Sequence, residues 1–284
     1  AGAGAGAGTG GGGGGGGDQL EGLEALPASK PPPPLDQQLR ELKTLVPFAI
    51  AIYGEAILRA HGDAPHGSSR AAGADTSTAH FVARRCGCSL SNIVHVEGGA
   101  LYRPAYILVV LHEPKIVAVV VRGTAKVHDL FTDAVCAPER FRGGWVHSGM
   151  LKSGQALVDS DLTERVEALL ARYSDYSLRV CGHSLGAGVG AVLTLLWAAE
   201  GRFPGLHCYG VATPCTTCPA IGRALRSHVT SIVHGDDVIA RLSRGACKDI
   251  VFCIQALLAE PGLVAEVIER AGEADRLESA AGAA

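Results

Sequence analysis

The sequence has no histidine after His234, one methionine (Met150), two tryptophans and only 5% aromatic residues. No stretch reaches the roughly 18 uninterrupted apolar residues of a membrane-spanning helix, so no transmembrane helix is expected. Lysine and arginine are scattered, and the formal net charge is −3. That leaves no electrostatic footprint for nucleic acid and no polybasic patch for an anionic membrane. The nine cysteines are odd in number. Neither Cys86-x-Cys88 nor Cys215-x-x-Cys218 has a second pair at zinc-site spacing, so no metal is expected. Buried reduced thiols at Cys181, Cys208 and Cys253 are the plainer reading. The N-terminal stretch shows neither a charged n-region nor an apolar h-region, so it is not expected to be a signal peptide. With no initiator methionine at Ala1, the sequence reads as a fragment of a longer protein.

Glycine (38 residues) and apolar side chains (47%) are abundant. Residues 1–34 pass from Ala-Gly and poly-Gly to Pro31–Pro34, the composition of a disordered linker. Residues 35–284 suit one large domain. Leu39, Leu42, Leu45 and Val46 recur at helical spacing, so a helix is expected over Asp36–Ala60, capped by Asp36 and broken or kinked at Pro47. His61–Ala79 reads as a polar loop with His61, His66 and His80 in or beside it, solvated. Residues 81–100 are ambiguous, with a short helix around Phe81–Cys86. Ala105–His112 and Ile116–Arg122 form a β-hairpin around Glu113-Pro114-Lys115. Lys126–Trp145 is a polar and aromatic connection. Ser148–Tyr173 reads as one long amphipathic helix. Leu206–Ala212 and Val229–His234 are strands with a short helix near Pro219–Ser227 between them, and Asp249–Arg270 is the last helix. Strands separated by helices predict an α/β fold, a mostly parallel sheet with an antiparallel hairpin and helices on both faces.

The chain is organised around Ser177–Gly190. Leu178, Val180 and Cys181 mark a buried strand. A sharp turn follows at Gly182-His183-Ser184-Leu185-Gly186, then an apolar helix from Ala187 to about Ala199. This is the strand–turn–helix setting of a nucleophile elbow, with a strained serine whose hydroxyl stands clear of the sheet. The plainer alternative is a glycine-rich turn between strand and helix. In an elbow, the N–H of Leu185 opens the helix and points into an oxyanion hole. Acyl transfer by serine also needs a base and a carboxylate that orients it. Val233–Val238 supplies an acid after a strand and a glycine turn, at Asp236 or Asp237; a turn capped by Asp is the competing reading.

Four stretches in order make the sequence resemble the class 3 lipase family, and most of all its sn-1-specific diacylglycerol lipases. Val120–Thr124 (VVRGT) resembles the oxyanion strand, followed by Leu130-Phe131-Thr132-Asp133. His147-Ser148-Gly149-Met150 resembles the segment before the long helix. Gly182–Gly188 (GHSLGAG) matches the elbow, and Gly235–Ser243 (GDDVIARLS) resembles the acid loop. The resemblance covers residues 105–243. It implies an α/β-hydrolase fold with Ser184 as nucleophile and Asp237 as triad acid. Thr124 and Leu185 would be the oxyanion donors, and His147, His183 and Asp133 structural. Residues 125–146 would contribute to a cover. Ala240 stands where the family has proline.

The departure that matters most is the absence of a histidine downstream of the acid. His234, three residues before Asp237, sits beside the acid rather than on a separate loop. Truncation before the catalytic histidine is the preferred explanation, which extends the 35–284 lipase domain beyond this sequence. A pseudoenzyme and a substitute histidine are the alternatives. The expected activity is hydrolysis of glycerolipid acyl esters at a membrane or droplet surface, without metal or other cofactor. This chain itself is expected to be nearly inactive. A lipid-binding or interaction module and a soluble esterase or thioesterase are the competing functions. A cytoplasmic or peripheral membrane location fits.

Overall fold

The computed structural model describes residues 26–27, 30–60, 74–123 and 137–281. In chain order the elements are α1 (Leu35–Ala51), α2 (Glu55–Ala60), α3 (Ala74–Cys86), β1 (Ile93–Glu97), β2 (Tyr106–Leu111), β3 (Ile116–Val121), β4 (Pro138–Phe141), β5 (Gly144–His147), α4 (Ser148–Val158), α5 (Leu162–Arg172), β6 (Ser177–His183), α6 (Leu185–Ala199), β7 (His207–Val211), α7 (Pro219–Leu225), β8 (Val229–Ile232), α8 (Val238–Arg241), α9 (Arg244–Ala259) and α10 (Pro261–Ala281).

β2 and β3 are continuous apolar runs because both faces of this part of the sheet are covered; all six residues of each are buried. The sheet order is β1-β2-β3-β6-β7-β8. β1, β2 and β3 pair antiparallel, and β3, β6, β7 and β8 run parallel. The fold is therefore α/β, mostly parallel with an antiparallel hairpin, and helices lie on both faces. Alternation along each strand sorts the core into two layers. Leu108, Val119, Val121 and Val180 face α4, α5 and α6. Ile107, Val109, Ala118, Val120 and Cys181 face α1 and α3. α6 is apolar on every side because it lies within the first layer, with every residue from Gly186 to Ala198 buried.

Several boundaries differ from the sequence expectation. The first helix runs through Pro47 and ends at Ala51, where Gly54 takes φ 83° and its N–H bonds the Ala51 carbonyl at 3.0 Å. Its N-cap is Pro34; Asp36 lies in the first turn and pairs with Arg40 at 2.8 Å. Residues 74–79, expected as loop, open α3, which is held by packing of Phe81 and Val82 into the second core layer. The rest of that expected loop, with His61 and His66, lies outside the described residues. β1 occupies part of the ambiguous stretch, and the β4–β5 hairpin part of the expected connection. The helix expected over 148–173 is two helices. Ser160 separates them, its hydroxyl donating to the Leu157 carbonyl at 2.7 Å and accepting the Leu162 N–H at 3.3 Å. The last helix is also two, because Pro261 forces Glu260 to an extended φ of −128°. Cys253, expected to be buried, is exposed on α9; the described cysteines are all free thiols.

Candidate active site

The parallel register sets Val121 beside Gly182 and His183 beside Val211, so β3, β6 and β7 deliver their C-terminal ends to one place. Ser184 stands there at φ 56° and ψ −127°, the strained backbone expected of an elbow. Its N–H bonds the Val211 carbonyl at 2.8 Å, and its carbonyl accepts from Ala187 and Gly188 at 2.9 and 3.1 Å. The backbone is thus fixed from both sides, while the side chain makes no capping bond to α6. Ser184 is 8% exposed.

Two glycines permit this turn. A methyl group on Gly182 would lie 2.5 Å from the Gly186 carbonyl, and one on Gly186 would lie 2.7 Å from Gly123 N. Strand ends and elbow therefore meet backbone to backbone. Leu185 is the first residue of α6, so its N–H has no acceptor within the helix. A cleft of about 340 Å³ opens beside it, lined by Gly123, His147, Met150, Leu185 and Val189 and by the 99–105 connection.

His183, next to the serine, points to the opposite side of β6 from the cleft helices. Its Nδ1 is 3.1 Å from the Tyr53 hydroxyl. Burial pushes its pKa below the ordinary value, and the negative charge of Asp237 opposes that shift. Burial pushes the Tyr53 hydroxyl up to about 12 against the Arg122 charge and the Gly123 N–H. His147 caps α4, its Nδ1 accepting the Met150 N–H at 3.3 Å. Its own N–H bonds the Thr216 carbonyl at 2.8 Å, tying β5 to the loop after β7.

Asp237 follows β8 and caps α8, accepting the Ile239 N–H at 2.9 Å. The carboxylate thus has the capped-turn geometry, while its field reaches His183 beside the serine. Asp236 points away and pairs with Arg241 at 2.9 Å. His234 is exposed, and its carbonyl accepts the Asp237 N–H at 3.2 Å, so the two share one tight turn. Thr124, the Leu130–Asp133 stretch and most of the expected 125–146 cover lie outside the described residues. Among the described residues, no three metal-ligating side chains gather, and no helix is long and apolar enough to cross a membrane. The residue that motif reading missed is Tyr53, 130 positions from His183 and without a local signature.

This sheet order, the strained serine and the buried helix behind it define an α/β hydrolase. Rhizomucor miehei triacylglyceride lipase shares the fold, with a TM-score of 0.57 and 19% identity over 75% of this chain and 77% of that one. Residues 118–246 match the family model described as Lipase (class 3). Diacylglycerol lipase-beta of Mus musculus is 25% identical over 243 residues, 76% of this chain and 36% of that protein. Diacylglycerol lipase-alpha of Rattus norvegicus is 30% identical over 156 residues, 50% of this chain and 15% of that protein. These matches support membership of the class 3 lipase family, with diacylglycerol lipases as relatives. The chain spans about a third of the length of the first relative and less of the second.

Proposed function

We propose that this domain is a serine hydrolase of the lipase type, built to cleave acyl esters of glycerolipids, with a diacylglycerol as the substrate its relatives suggest. The observation that carries this reading is the backbone of Ser184, strained and fixed at the C-terminal edge of the sheet beside a cleft. In this reading Ser184 Oγ attacks the ester carbonyl carbon and its proton passes to a base. The carbonyl oxygen becomes an oxyanion held by the N–H groups of Leu185 and Thr124. Collapse expels the glycerolipid alcohol, which takes the proton back from the base, and water then releases the fatty acid. Asp237 orients the base. Substrate meets this edge from a membrane or droplet surface. No step requires a metal or other cofactor.

Residues 235–284 contain no histidine, so nothing after the acid loop supplies that base. Loss of a triad histidine costs about 10⁶-fold in a serine protease. The expected result is that this chain turns over esters barely, if at all. A second reading, a non-catalytic lipid-binding module on this fold, follows if the longer protein also has no histidine downstream of the acid loop.

The test is labelling by a fluorophosphonate, with Ser184→Ala beside the parent. Labelling that vanishes in the variant supports an activated serine and means that a base within this chain is working, with His234 next to be substituted. A folded chain that stays unlabelled lacks the base. Binding of diacylglycerol-containing vesicles by that unlabelled chain would then favour the binding module.

A further inference from the structure

We propose that Tyr53 is a positioning residue for the oxyanion side of this site, its hydroxyl setting the spacing between the end of β3 and the turn that carries Ser184. The inference rests on the hydrolase reading above and adds to it a residue far from every motif. Tyr53 lies in the turn between α1 and α2, outside the 118–246 family match. Its hydroxyl is 3.1 Å from His183 Nδ1, donates to the His183 carbonyl oxygen at 3.3 Å, and lies close against Gly123. The two rings meet edge to face at 5.8 Å.

The proton inventory of that oxygen is satisfied in one arrangement. Tyr53 donates its single proton to the His183 carbonyl and accepts from His183 Nδ1–H. The hydroxyl is protonated through the neutral range at the ordinary tyrosine pKa of 10, and burial reinforces this. Gly123 immediately precedes Thr124, and His183 immediately precedes Ser184. One oxygen therefore lies against the residue before Thr124, just past the end of β3, and bonds the residue before Ser184, at the end of β6. The fit is tight: a methyl group on Gly123 would collide with the Tyr53 hydroxyl and lie 2.7 Å from the His183 carbonyl oxygen. A phenylalanine at 53 keeps the ring, leaves the His183 carbonyl and Nδ1 without their shared partner, and removes the atom that lies against Gly123.

The experiment compares the full chain with Tyr53→Phe by amide and imidazole NMR, with fluorophosphonate labelling in parallel. Expected in the variant are moved Gly123 and Leu185 amide signals and a changed His183 Nδ1 signal. Where the parent labels, the labelling rate falls about tenfold, short of the roughly 10²–10³-fold cost of deleting an oxyanion donor. A folded Tyr53→Phe chain with Gly123 and Leu185 signals unmoved overturns the proposal. A purely structural anchor for the α1–α2 turn would move Tyr53's neighbours without moving Leu185. If the variant does not fold, the parent still decides: a Tyr53 hydroxyl proton without contacts to Gly123 and His183 overturns the assignment, and one with both contacts supports it. An unlabelled parent reports only the missing base, and the amide signals then decide Tyr53 independently.

Discussion

His207 opens β7 at 1% exposure, with its ring nitrogens 2.9 Å from Thr230 Oγ1 and 3.3 Å from the Ser227 carbonyl. Burial first, and the Arg179 charge second, push its pKa to about 4 from an ordinary 6.5. The unfolded chain therefore binds a proton between pH 6.5 and 4 that the folded chain refuses. Stability contributed by the neutral imidazole is complete above pH 6.5 and declines as pH falls toward 4, by about 3 kcal/mol in all. Urea unfolding across that range should show the decline, and His207→Gln should flatten it. Beside it, Glu41 accepts Arg179 at 2.9 Å and Tyr209 at 2.7 Å. Burial raises the Glu41 pKa, but these donors outweigh it and hold the carboxyl ionised. Arg179→Met should cost about 3–5 kcal/mol, because it strands a buried carboxylate, and Arg179→Met with Glu41→Leu should recover part of that loss. At this scale the sequence was legible where chemistry is local: the elbow announces itself within seven residues. Glu41, Arg179 and Tyr53 carry no such signal, since their partners come from distant parts of the chain.

Elements around the elbow differ in how much change they tolerate. A methyl group on Gly186 would meet the backbone of Val121, Arg122 and Gly123, none of which can move without shifting β3. One on Gly188 would meet mainly the Met150 thioether, 2.7 Å away at the end of a flexible side chain. Gly186→Ala should therefore cost about 3 kcal/mol and Gly188→Ala about 1 kcal/mol, read as melting temperatures some 2–4 °C lower for each kcal/mol. The β2–β3 hairpin and α6 were readable because buried apolar runs and turn residues coincide. β1 was not, since Ile93–Glu97 includes His95 and Glu97 and forms a partly exposed sheet edge. The break at Ser160 was hidden for another reason. Its hydroxyl replaces helical backbone bonds, and the apolar spacing continues across the gap as though nothing had happened.

Across the whole molecule, apolar surface is distributed unevenly. Phe252 and Leu258 on α9 are 71% and 77% exposed, and Ile268 on α10 is 66% exposed. Replacing Phe252 and Leu258 together by serine should change stability by no more than about 0.5 kcal/mol each, because neither is packed. The same change should reduce binding of a hydrophobic dye, and fluorescence titration checks it. The architecture was legible at this scale from the alternation of strands and helices. The docking of α1 was not, because helix-to-sheet pairing over such distances leaves no periodic mark. Glu41 meets Arg179 138 positions later, and Gln38 meets Thr230 192 positions later. A ribosome adding roughly 5–20 residues per second leaves α1 without those partners for about ten to forty seconds after it is made. Until then the face bearing Leu45, Phe48 and Ile52 has only the β2–β3 part of its sheet to lie on. Birth order and seating order run against each other, so α1, made before every strand of the sheet, completes its contacts only after β8.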